Sequence, residues 1–490
     1  MLIIKSFPLL VILILFVTSF VMPIINKKST VKAISFVSII CSMILSIINM
    51  NYVINNGSYI YRVGHFDAPW GIEFHIGIIE VIMGVLFTFV AAMIIWYSIY
   101  SIDKEIKEDK IPLYYLMINI IMGSLLGITY TNDIFNSYVF IEISTLASCG
   151  IVVIKTKRDN LKAALKYLIM SCLGSGLVLM GIAFLYSMTG HLNMRFIHGE
   201  LMKSYSNYPN AILITLGLFT VGLGVKSAMF PLHTWLPDAH ASAPAPSSAI
   251  LSSLVLKAFI LLLIKVLYRV FGIDIIRQFH ILDIIMILGS IGMIMGSVYA
   301  IFQKNIKKVI AYSSVAQVGY IFLGIGMGTK LGLTMAIFHM VGHAVTKSAL
   351  FLSAGSMIEK TGYKKLKELK GIGKEMPVTL GLFALGALSM VGIPILPGFI
   401  SKWYLALASI EINRMGLIVI ILASSLLNVA YYFPIIINGF FGEENLKDKV
   451  YKSKSKPLRE EIPVIALIAA MIYVGAASKW IISLIKLGLG

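Results

Sequence analysis

Apolar residues fall into fourteen runs separated by short polar stretches: 5–25, 33–54, 74–100, 112–130, 132–154, 164–188, 210–230, 245–268, 280–302, 307–327, 331–355, 377–408, 415–440 and 462–486. Each is close to the roughly twenty residues that carry an α-helix across a bilayer. The pattern predicts an all-α polytopic membrane protein with fourteen spans. No small-residue cleavage site precedes Asn26, so the first run is expected to be a retained span rather than a removed signal peptide.

Charge supports the count. Loops after odd-numbered runs hold 25 lysines and arginines, and loops after even-numbered runs hold seven. Basic loops stay in the cytoplasm, which places both termini on the outer face. One missed or surplus span would scramble the alternation.

Composition then narrows the class. Of 490 residues, 58% are hydrophobic and only 13% charged, which excludes a soluble enzyme and a disordered chain. The net charge of +18 lies in the loops between spans, so it sets orientation and does not predict a nucleic-acid surface. Cys41, Cys149 and Cys172 all lie in apolar runs without a C-x-x-C pair and are expected to be small buried apolar side chains. No Rossmann or P-loop motif is present either. The chain is expected to carry no cofactor and no metal, so energy from redox chemistry or ATP must come from another subunit.

A charge at mid-bilayer costs about 2.5–3.5 kcal/mol on insertion scales, so the ionisable residues inside spans are the candidate site. Glu142 lies in the middle of run five. Lys226 lies in run seven between glycines and Pro231, at a predicted helix break. An anionic neighbour holds a buried lysine protonated, and its withdrawal releases the proton, so a Lys/Glu pair with a changeable contact is a proton gate. Lys257 is central in run eight, whereas Lys265 is near enough to the end to snorkel. His339, His343 and Lys347 recur every four residues and share one stripe of run eleven. A zinc site would need Glu where Met340 stands, which leaves structural hydrogen bonding or a proton relay, for which histidine is suited. Lys402 follows the Pro394/Pro397 break in run twelve.

Runs seven and twelve are both broken, both carry a lysine near the break, and run in opposite directions. That matches two inverted five-helix repeats, spans four to eight and nine to thirteen, with paired broken helices marking an ion path. The stretch 230–249 adds His233, Asp238 and His240 among four prolines. These three either form an outer-face proton exit or lock the loop.

Residues 226–240, Lys-Ser-Ala-Met-Phe-Pro-Leu-His-Thr-Trp-Leu-Pro-Asp-Ala-His, with Ala-Pro-Ala-Pro-Ser-Ser-Ala-Ile-Leu and Lys257 behind them, closely resemble the antiporter-like subunit family. So do residues 307–320 and the helix from His339 to Lys347. The family comprises the proton-pumping membrane subunits of complex I, the D-type subunit of Mrp Na⁺/H⁺ antiporters and related subunits of membrane-bound hydrogenases. The resemblance covers roughly residues 110–440. It implies fourteen spans, a Glu142/Lys226 pair, a hydrophilic axis through Lys257, His339, His343 and Lys347, and Lys402 at the terminal position. Lysine there, where the most similar complex I subunit commonly has glutamate, leans toward the Mrp or hydrogenase branch. Residues 71–80 also depart from the family, with Gly77 near the place where many relatives have aspartate and Glu80 three residues on. The chain is expected to end after span fourteen, without the lateral helix of the largest complex I pump subunit.

The organisation expected is a three-helix segment (1–110), a first repeat (111–270), an inverted second repeat (271–440), and a cytoplasmic loop with a last helix (441–490). The function expected is proton translocation within a redox-driven pump of a prokaryotic cytoplasmic membrane, beside other antiporter-like and small membrane subunits and peripheral iron–sulfur subunits. The alternative is the D-type subunit of an Mrp Na⁺/H⁺ antiporter.

Overall fold

A computed structural model describes residues 2–25, 27–442 and 458–490. Asn26 and the stretch 443–457, with Lys447, Lys449, Lys452, Lys454 and Lys456, lie outside the described residues. The described residues are 83% helical. Among the described residues, twelve helices are long and apolar enough to cross a membrane, and two bent pairs raise the number to as many as 14, in agreement with the hydropathy pattern. The described residues also hold one antiparallel hairpin, Tyr59–Arg62 with Glu73–Ile76, in the loop before span three.

Buried polar side chains hold helices together, because lipid offers them no partner. The amide of Asn119 in span four (Ile111–Tyr130) accepts from Ser35 Oγ at 2.8 Å and donates to Ser38 Oγ at 3.0 Å and Thr18 Oγ1 at 3.1 Å. That one side chain ties together spans one, two and four. The most enclosed helices are span eight (Ala245–Phe271) and span eleven (Lys330–Thr361), buried throughout their apolar windows. They carry Lys257 and the histidine–lysine stripe, so the fold shields those groups from lipid.

Both predicted breaks are present. Span seven runs helically over Pro209–Lys226 and resumes as a short helix, Leu236–Ser242. Span twelve is helical over Pro377–Val391 and again over Pro397–Glu411. Each break holds a non-glycine residue at positive φ, Ala228 at 56° and Ile395 at 76°. That backbone is rare for a β-branched side chain such as Ile395 and collects at functional sites.

Two expectations need correction. Cys41 and Cys172 lie exposed on the bundle surface, not buried. Lys265 does not reach the bilayer edge. It is 2% exposed and points at backbone oxygens of Ile128, Thr129 and Thr131, because those carbonyls end span four and need donors.

At the basic-loop end, Glu105 is half-buried beside Lys155 and accepts from the Ala245 N–H at 3.0 Å. Burial by itself would raise its carboxyl, but the charges of Lys155 and Lys307 and these hydrogen bonds outweigh it and hold it below its ordinary value. It fixes the start of span eight.

Candidate functional site: a buried lysine–histidine axis

Lys226 is the last residue of the first half of span seven and is 1% exposed. Trp235 Nε1 satisfies the Val225 carbonyl at this broken end at 2.9 Å. The lysine is thereby free to reach span five, where its Nζ donates to Thr145 Oγ1 at 2.6 Å. Glu142, one turn away on the same helix, is within electrostatic reach, but its Oε1 is buried without a hydrogen-bond partner among the described residues. Among the described residues no ion pair joins the two; Thr145 holds the lysine, and Glu142 acts on it at longer range. An orphaned buried oxygen costs about 1–3 kcal/mol and marks a contact that can be remade.

On its other side Lys226 faces the Phe259 ring, 5.8 Å to the centroid. Two residues before that ring on span eight is Lys257, fully buried, donating to Ser252 O at 2.5 Å. The five-residue spacing follows from the backbone: 251–255 is a π-helical turn, which releases a carbonyl from the ordinary ladder. From Ser252 the hydrogen bonds continue. Ser252 Oγ meets Ser314 Oγ at 2.9 Å, Ser314 Oγ donates to Ile310 O at 3.0 Å, and Lys347 Nζ donates to the same Ile310 O at 3.0 Å. Lys347 also contacts Ser313 Oγ and, at 3.3 Å, Tyr432 OH.

The line then reaches the second break. The His339 and His343 rings stack at 5.9 Å, and the Tyr320 ring lies tilted by 32° against His339 at 5.7 Å. Lys402 Nζ lies 4.9 Å over the Tyr320 ring. Nδ1 of His339 is 2.8 Å from Ser401 Oγ, while neither ring nitrogen of His343 has a hydrogen-bond partner among the described residues. Lys402 donates to Met390 O at 2.7 Å and Val391 O at 2.9 Å, capping the open end of the first half-helix. Asn428 Nδ2 shares Met390 O at 3.2 Å, and its Oδ1 accepts from Tyr431 OH at 2.6 Å. The two breaks therefore differ: a tryptophan caps the first, and the lysine itself caps the second.

Asp238, His233 and His240 form no single cluster. Asp238 sits between Lys166 at 3.0 Å and Lys308 at 3.1 Å, in a cavity of about 560 Å³ also lined by Lys155, Lys157, Lys162 and Lys364. These lysines belong to the basic loops, so Asp238 is at the end opposite an outer-face exit. His233 packs among Phe230, Tyr299 and Tyr312. His240 is fully buried on Phe351, within electrostatic reach of Lys257, Lys307 and Lys347. The basic end is the end to which the charge pattern already assigns the loop after run seven.

Sequence reasoning missed the hydroxyl links. Ser252, Ser313, Ser314, Tyr320 and Tyr432 were legible as polar residues inside apolar runs, but uncharged hydroxyls are common there and gave no separate signal.

Comparison with known proteins decides the family. A family model described as NADH:quinone oxidoreductase/Mrp antiporter, TM, matches residues 131–428, more than half of the chain. The chain belongs to this family. The antiporter-like chain is 36% identical over 387 residues to the N-type subunit of the NADH-quinone oxidoreductase of Desulforudis audaxviator, covering 78% of this chain and 75% of the relative. It is 30% identical over 467 residues to the D-type subunit of the Na⁺/H⁺ antiporter of Alkalihalophilus pseudofirmus, covering 94% and 92%. In fold it matches a chain of the Mrp complex from Dietzia sp. with a TM-score of 0.90 at 20% identity, covering 100% and 97%. It matches a chain of the archaeal membrane-bound sulfane sulfur reductase with the same TM-score at 26% identity, covering 98% and 96%. The protein is an integral membrane, antiporter-like subunit of the class shared by these complexes.

Proposed function

We propose that this chain is a proton-translocating subunit of a multisubunit, redox-driven ion pump in a prokaryotic cytoplasmic membrane, with both termini on the outer face. The observation that carries the reading is the buried line from Lys226 through Lys257 and Lys347 to Lys402, in which the lysines rest on hydroxyl, ring and carbonyl partners. Such a line serves proton transfer and no other evident chemistry. Glu142 holds Lys226 charged when the carboxylate turns onto it. With the lysine on Thr145 instead, its proton passes toward Lys257, the stripe of His339, His343 and Lys347, and Lys402.

The expected partners are further antiporter-like and small membrane subunits and peripheral iron–sulfur subunits, consistent with a relative named for a quinone oxidoreductase and a structural neighbour named as a respiratory membrane complex. The long match to the D-type subunit of an antiporter favours a second reading, an Mrp-type Na⁺/H⁺ antiporter. Purification of the native complex followed by a pH-sensitive dye assay in vesicles separates the two. Redox drive predicts co-purifying iron and acidification upon adding an electron donor without sodium. The antiporter reading predicts acidification only under a sodium gradient. A complex that moves protons under neither drive overturns both.

A further inference from the structure

At the opposite end of span eight from Glu105, a second group of buried charges stands apart from the axis. Glu80 is fully buried in the first turn of span three (Ile78–Ser101) and caps that helix through the Gly77 N–H at 3.1 Å. Gly77 leaves room for it, since a Cβ there would stand 2.8 Å from Glu80 Oε2. Oε1 of Glu80 lies 2.6 Å from Arg269 Nη1 and 3.9 Å from Lys265 Nζ. His75 Nδ1 is 3.7 Å from Oε2 and 3.3 Å from Arg269 Nη1. Among the described residues, Lys265, Arg269, His75 and Tyr130 are charged or titratable groups that face this carboxylate. Residues 265–271 are again π-helical, a backbone often found at functional sites.

A cavity of about 390 Å³ is lined by Glu80, Lys265 and Arg269. Inward its wall includes Leu261, four residues and so about one turn from Lys257. Outward it reaches Thr329 and Lys330, in a loop that the charge pattern assigns to the outer face.

We propose that this cluster is the outer-face proton port of the axis, with Lys265 as the releasing group and Glu80 as its switch. The proposal rests on the axis reading above. One carboxylate oxygen serves two cations of different kind: arginine keeps its proton, and lysine can give its proton up. With Glu80 on Arg269 at 2.6 Å, Lys265 donates its hydrogen bonds to neutral carbonyl oxygens and keeps the carboxylate only at 3.9 Å. Its N–H bond then breaks, an O–H bond forms on cavity water, and a neutral amine remains. When Glu80 turns to Lys265, the ammonium is restored by a proton arriving from Lys257 past Leu261. His75 and Arg269, each about one-third exposed, lead from the pocket to the surface. A static ion pair would place the lysine on the carboxylate and would need no cavity.

The test uses vesicles holding the whole complex, with proton transport read by a pH-sensitive dye. Lys265→Arg preserves the positive charge and the donors to the carbonyls but retains its proton. It is expected to lower transport at least about tenfold, since positioned proton transfer contributes roughly 10²–10⁴-fold. A structural role would be rescued by this variant, so a wild-type rate in Lys265→Arg overturns the proposal. Should that variant fail to assemble, Arg269→Gln, at a partly exposed position, leaves Glu80 to Lys265 and is expected to slow transport severalfold, and a wild-type rate there is equally fatal. Lys226→Ala in the same vesicles reads the axis separately. Transport lost in Lys226→Ala but kept in Lys265→Arg overturns the port and leaves the axis standing. Transport kept in both overturns the two together.

Discussion

Lys226→Ala is expected to abolish proton transport while leaving the complex assembled. The argument is local. Lys226 ends the first half of span seven and faces Thr145 on one side and Phe259 on the other. Among the described residues it is the cationic link between Glu142 and Lys257 along this line. Removing it deletes the group that Glu142 controls, and the expected fall is about 100-fold or more, the scale of a lost acid–base group. Thr145→Val serves as a graded control, removing one hydrogen bond worth about 0.5–1.5 kcal/mol and slowing transport only modestly. Dye-quenching rates, with subunit content read from the purified complex, check both. An assembled Lys226→Ala complex that pumps at the wild-type stoichiometry refutes the expectation.

A second large effect is expected at Lys347. Its ammonium is the junction where hydrogen bonds from Ser252 and Ser314 meet those of Ser313 and Tyr432. Lys347→Met keeps the length and volume of the side chain and removes every donor. The line is then cut between the first and second breaks, and transport falls about 100-fold. Tyr432→Phe removes one hydroxyl at the edge of the junction, where Ser313 still donates to Ile310 O, so a much smaller reduction is expected. Equal losses in the two variants would place the junction elsewhere.

Most of the fold was legible in the sequence because lipid imposes a single length and a single pattern on each span. The same rule exposed Glu142, Lys226, Lys257 and Lys347, since an unneeded charge is costly in that medium. It failed where burial and length part company. Lys265 sits near the end of its span and looked able to reach water, yet the carbonyls that end span four lie closer. Asp238 and His240 follow the first break in a loop after an odd-numbered run, so the alternation of basic loops already set them at the basic end, but the ion pairs of Asp238 with Lys166 and Lys308 depend on packing that the alternation does not encode. Glu80 drew attention only as a departure from a family pattern. Its link to Arg269, far along the chain in span eight, depends on helix packing that hydropathy does not encode.

The central claim is that Lys226, Lys257, Lys347 and Lys402 belong to one hydrated path. The most direct measurement is a density map of the native complex at a resolution that shows ordered water. The account predicts water beside Phe259 joining Lys226 to Lys257, and between the His343 ring and Lys347. Dry apolar packing at both places, with each lysine sealed against its own carbonyl or hydroxyl partners, would contradict it.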